Sequence, residues 1–163
     1  MKQLLIATLL VILISTTACF KQLDYTFNEY KIVELEDAVR RTPASGLTYP
    51  VISLTKTAGS QVLVANLVGE KLTADQEMTF SIDTAVSSQL NATTIRGEAG
   101  THFNLNGGKF TFKQDSSFAS IKFDVINTTV TGKTAFFVLK LDGNNDIKPS
   151  ENYRRVGFKI NLN

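Results

Sequence analysis

The sequence predicts an all-β fold, an antiparallel sandwich of two sheets, and three observations carry that prediction. Apolar and polar residues alternate with period two in several separated segments, clusters of Gly, Asn, Asp and Ser punctuate them, and no long helical pattern follows Ser60. Alternation is what a strand with one buried face requires, the clusters supply tight reversals, and the missing helices argue against βαβ units.

The chain opens differently. Lys2 precedes a run from Leu4 to Ile14 that is aliphatic apart from Ala7 and Thr8, and Ser15, Thr16, Thr17, Ala18 and Cys19 follow. A basic start, a short apolar stretch and a small-residue zone are the layout of a signal peptide, assigned to residues 1–18; a spanning helix needs roughly 20 apolar residues. The only cysteine stands directly after the small residues. Thr17-Ala18-Cys19 resembles a lipobox, which implies a bacterial lipoprotein whose Cys19 carries thioether-linked diacylglycerol and an N-acyl chain. At ~0.8 kcal/mol per buried CH₂, several chains anchor far more firmly than one. The expected location is the outer membrane. Phe20 to Asp24 lack a dense acidic run, so the surface and the periplasmic face both stay open.

Residues 19–59 read as a lipidated tether that becomes one or two outer strands. Ile32, Leu35 and Val39 have helical spacing, yet Tyr30, Ile32 and the run Leu47 to Leu54 read equally well as strand. Thr42 to Gly46 is a turn or loop, and Pro50 belongs at an edge or bulge of a sheet.

Residues 60–163 form the predicted sandwich domain. Met78, Phe80 and Ile82 share one face of a strand, as do Phe110 and Phe112, then Ile121, Phe123 and Val125, and finally Val156, Phe158, Ile160 and Leu162. Val62 to Val68 and Ala135 to Leu141 are apolar nearly throughout, which predicts interior strands, covered on both faces or buried at a sheet junction. Turns are expected at Gly97 to Gly100, Asn106 to Gly108, Gln114 to Ser117, Thr128 to Gly132 and Asp142 to Asn145.

Several pieces carry a resemblance: Val64-Ala65-Asn66-Leu67-Val68-Gly69, Asp75 before the Met78 strand, Gly100-Thr101-His102-Phe103, and Ser150-Glu151-Asn152-Tyr153 before the last strand. In this order they resemble the Calx-beta-like, immunoglobulin-like domains of Bacteroidota outer-membrane lipoproteins of unknown function, many encoded near polysaccharide-uptake systems. The resemblance implies a non-enzymatic accessory module of a surface glycan-capture system. The alternative is a structural or adhesion lipoprotein that takes a protein partner by strand addition, with or without calcium.

The residues constrain the chemistry. His102 is the only histidine, so any nucleophile-activating triad would need it, and one histidine supplies no zinc cluster. It is read as a surface or turn residue, and no catalytic residue is assigned. Asp142, Asn144 and Asp146 have the alternating spacing that opens a calcium loop, but Ile147 and Tyr153 stand where such a loop needs its glycine and closing glutamate. Asp-Gly-Asn-Asn is also a hairpin turn, and Asp142 and Asp146 remain the candidate calcium ligands. No other cofactor is implied.

Glycan binding needs aromatic faces, and the chain has no Trp; Tyr49 and Tyr153 are the candidate contacts, while Tyr25 and Tyr30 lie near the tether. Asp83-Thr84-Ala85 resembles a short O-glycosylation motif, which marks Thr84. The sequons at Asn91 and Asn127 carry little weight in a bacterium. Removing residues 1–18 takes away Lys2 and no acid, leaving a charge near zero, and with no basic run a nucleic-acid partner is not expected.

Overall fold

The computed structural model describes residues 30–85 and 89–163. Cys19 and the leader lie outside them. The described chain forms two sheets around one core, and among the described residues no helix is long and apolar enough to cross a membrane.

The segment that read two ways is both. Ile32–Leu35 is strand β1, with Val33 and Leu35 fully buried, and Glu36–Arg40 is a short helix, α1, that buries Ala38 and leaves Val39 exposed. Glu36 and Asp37 open α1 and Arg40 closes it, which suits the helix dipole. The remaining strands are β2 (Val51–Thr55), β3 (Ser60–Val68), β4 (Gln76–Ile82), β5 (Thr94–Arg96), β6 (Phe103–Asn104), β7 (Lys109–Phe112), β8 (Phe118–Val125), β9 (Thr134–Gly143), β10 (Lys148–Pro149) and β11 (Arg155–Asn161).

One sheet has the order β10-β1-β3-β8-β6 and the other β2-β11-β9-β4-β7. The longer ladders are antiparallel, but β1 with β10, β2 with β11 and β5 with β9 pair in parallel. The parallel contacts depart from a purely antiparallel sandwich. Strands distant in sequence make the first two, so the intervening chain supplies the crossover that parallel pairing needs. In the third, β4 pairs with β9 only as far as Leu139, and β5 takes over the same edge of β9 from Phe136 to Thr134.

Parity sorts the faces as alternation predicts. Met78, Phe80, Phe110, Phe112, Ile121, Phe123, Val125, Val156, Phe158, Ile160 and Leu162 are all buried. Four rings join the sheets: Phe103 and Phe123 from one, Phe137 and Phe158 from the other. Phe137 stacks on Phe103 and Phe158 with centroids 4.0 and 5.1 Å apart, and Phe123 meets Phe158 edge-on at 4.8 Å. Such pairs add about 0.5–1.5 kcal/mol each beyond buried area.

The two apolar runs part ways. From Ala135 to Leu139 every residue of β9 is buried, because Tyr49, Leu47, Val51 and Leu90 cover Phe136 and Val138 on the outer face. Strand β3 is covered on one face only, contrary to the expectation: Val62 is 56% exposed and Val68 is exposed, while Leu63, Ala65 and Leu67 point into the core. β3 has strands on both edges, and on its outer side Asn66 bonds Glu36 of α1 while Val62 and Val68 stay exposed.

The covering of β9 depends on Gly157. A Cβ there would come within 3.0 Å of Val51 Cγ2, 3.2 Å of Tyr49 Cε2 and 3.3 Å of Phe136 Cε2. Its bare backbone lets the Tyr49 ring lie against the sheet.

Candidate functional site

Strand β11 begins at the wall of a pocket. Tyr153 closes the turn before β11 and Arg155 opens the strand. They line a depression of about 400 Å³ with Glu151, Asn152, Thr48 and Pro43. Thr48 and Pro43 reach the site because β2 pairs with β11 in parallel, which lays the segment before Val51 beside the segment before Gly157. The Gly157 amide donating to the Pro50 carbonyl (2.9 Å) secures that approach.

The polar groups of the pocket are held from behind. Arg155 Nε donates to Asp83 Oδ2 at 2.7 Å, and the Ala85 amide donates to Asp83 Oδ1 at 3.0 Å. Burial works to raise the Asp83 carboxyl, but the Ala85 amide, the Arg155 bond and charge, and the Lys140 charge outweigh it and hold the group below the usual carboxylate range. Asp83 is therefore an anion that orients a guanidinium. Burial, reinforced by Asp83 and opposed by Arg155, raises the Tyr49 phenol.

The two candidate tyrosines have different fates. Tyr153 is 39% exposed on the pocket wall. Tyr49 is only 7% exposed, packed on Phe136 and Val138, so its ring offers no free stacking face. That corrects its reading as a surface contact: the apolar outer face of β9 needs a cover. Thr84 is exposed just beyond β4, and its carbonyl accepts from Arg96 Nη1 (3.2 Å).

His102 is buried, 2% exposed, and not on the surface. The Glu98 amide donates to its Nδ1 at 3.0 Å, while Nε2 is buried without a partner. Burial lowers its pKa, and the Glu98 charge opposes the shift.

Around the proposed calcium residues, Asn144 Oδ1 accepts from the amides of Asp146 (2.9 Å) and Ile147 (2.8 Å), and Asp142 pairs with Lys140 (3.1 Å). Gly143, at φ +73°, turns the hairpin. The middle oxygen of the alternating series is thus spent on the turn. Among the described residues no three His, Cys, Asp or Glu side chains gather as a metal site.

Pro43, Thr48, Glu151, Asn152 and Arg155 were not singled out as binding residues from the sequence. The closeness of Tyr153 and Arg155 in the chain was a readable signal; the arrival of Pro43 and Thr48 was not, because it needs the parallel β2–β11 register.

No family model matches the chain, and the comparison with curated proteins finds no match. Solved structures do share its fold. The apo form of the Calx CBD1 domain superposes with a TM-score of 0.56 at 13% identity, over 82% of this chain and 97% of that one. A two-domain Bacteroides fragilis protein of unknown function gives 0.56 at 9% identity, over 82% of this chain and 46% of its own. A candidate carbohydrate-binding protein from Bacteroides ovatus gives 0.53 at 8% identity, over 80% and 36%. This chain spans less than half of either Bacteroides protein. The all-β sandwich is of the Calx-beta, immunoglobulin-like type.

Proposed function

We propose that the chain is a lipid-anchored, non-enzymatic protein of the cell envelope that binds glycan at the Tyr153 pocket, as an accessory module of a surface glycan-capture system. The pocket carries the reading: an exposed ring stands beside a guanidinium, an amide, a carboxylate and a hydroxyl, the group types that stack on a pyranose and hydrogen-bond its hydroxyls. A volume of about 400 Å³ suits one or two sugar residues. Support also comes from the fold shared with the candidate carbohydrate-binding protein of Bacteroides ovatus. The non-enzymatic part rests on His102, whose Nδ1 is engaged and whose ring is buried away from any nucleophile's approach. The anchor rests on Cys19 and its flanking sequence.

The test is a glycan array probed with residues 20–163, with and without calcium. Binding that Tyr153→Ala removes supports the pocket; no binding to any glycan overturns it. Mass spectrometry of the protein from its native host checks the acyl chains on Cys19.

One observation favours a second reading, a protein partner added at a sheet edge. β2 is an edge strand without a charged residue, and its bonds to β11 run from Pro50 to Lys56. The ladder phase turns the backbone of Val51 and Ser53 and the Thr55 amide outward, a template for another strand, while the Thr55 carbonyl accepts from the Ala58 amide (3.0 Å). Strand addition predicts amide protection at those residues on binding.

A further inference from the structure

We propose that the pocket selects glycans carrying a carboxylate, with Arg155 as the residue that reads it. The inference rests on the glycan reading of the pocket and names the ligand class within it.

Asp83 occupies only the Nε edge of the Arg155 guanidinium, at 2.7 Å, and the two terminal nitrogens have no partner among the described residues. Those nitrogens form a planar fork, the geometry that meets a carboxylate with two parallel hydrogen bonds. The fork does not swing freely, because Asp83 is largely buried and pinned in turn by the Ala85 amide. A donor held in place before the ligand arrives loses little freedom on binding.

The rest of the wall leans the same way. The Asn152 amide and the Thr48 and Tyr153 hydroxyls can each donate. Glu151 is the one anion lining the pocket, but it pairs with Arg154 (2.9 Å) and its side chain is 78% exposed, so water and its partner blunt its repulsion. Asp83 and Glu151 leave neither arginine without a counter-charge, so selection comes from the geometry of the fork rather than from a general positive field. A neutral sugar gives Arg155 hydroxyl acceptors, whereas a hexuronate gives a charge-assisted pair roughly twice as strong per bond. The uronate carboxylate sits on the terminal nitrogens of Arg155, and a pyranose face of the glycan rests on Tyr153.

The experiment titrates residues 20–163, which include all of the described core, with oligosaccharides containing galacturonate or glucuronate. Each is offered as the free acid and as its methyl ester, beside neutral oligosaccharides. The expected result is binding of at least one free acid about tenfold tighter than its ester. Arg155→Lys keeps the charge but not the fork and loses most of that preference, while Tyr153→Ala weakens acid and ester alike. Asp83→Asn, remote from the ligand, reduces acid binding with the fold intact by circular dichroism. Equal binding of acid and ester, or binding confined to neutral glycans, overturns the inference and leaves the glycan pocket standing. An absence of binding to every glycan overturns both.

Discussion

The rings of Phe103 in β6 and Phe137 in β9 stack with their centroids 4.0 Å apart and their planes 24° from parallel, one from each sheet. Phe137 also stacks on Phe158 and meets Phe123 edge-on, so it touches every other ring of the central cluster. Phe137→Ala is expected to cost about 3–5 kcal/mol in denaturant unfolding. A loss below about 1 kcal/mol would mean the rings do not bridge the sheets.

The two phenylalanines of β8 provide a parity test. Phe118 is 61% exposed and Phe123 is fully buried. Phe118→Ala is expected to leave stability within about 0.5 kcal/mol, and Phe123→Ala to cost about 3–5 kcal/mol. Similar losses at both sites would show that the outer face of β8 is covered in solution.

A pH dependence follows from His102. Burial lowers its folded pKa below the ordinary 6.5, so between the two values the unfolded chain binds more protons than the folded one. The contribution to stability is complete above about pH 6.5 and is lost as pH falls through the lowered folded value. His102→Asn retains an acceptor for the Glu98 amide and does not titrate. Thermal melts from pH 7.5 to 4.5 should fall less steeply for the variant, and parallel curves would refute the assignment.

Two glycines at nearly the same dihedral separate backbone strain from overlap. Gly143 is at φ +73° and Gly46 at φ +74°. A Cβ at Gly46 meets nothing within 4 Å, whereas one at Gly143 would overlap the Ile147 carbonyl. Gly46→Ala is expected to cost about 1 kcal/mol from strain alone, and Gly143→Ala distinctly more. Equal losses would show that the hairpin yields to the added methyl.

Residue parity made most of the sandwich readable in the sequence. The inward sets of β4, β7, β8 and β11 follow from alternation, since a period of two assigns each side chain to one face. Val62 to Val68 misled because composition reports apolarity without saying what covers it; Val62 and Val68 face outward. β9 was legible as a doubly covered strand, but the identity of its cover was not, because Tyr49 arrives through a parallel pairing of distant segments. The same crossover hid half the pocket. Tyr153 and Arg155 are neighbours in the sequence, while Thr48, Pro43 and Asp83 join them only in three dimensions. His102 looked like a turn residue and does sit in a turn, but the turn folds its ring inward.

The parallel register of β2 on β11 has a mechanical consequence. β2 runs in the direction of β11, so the start of β2 at Val51 and the end of β11 at Asn161 lie at opposite ends of their shared ladder. Tension between them drives β2 and β11 past each other lengthwise, and the five paired positions from Val51 to Thr55 resist as a group instead of peeling singly. A molecule pulled along that axis would yield late and abruptly.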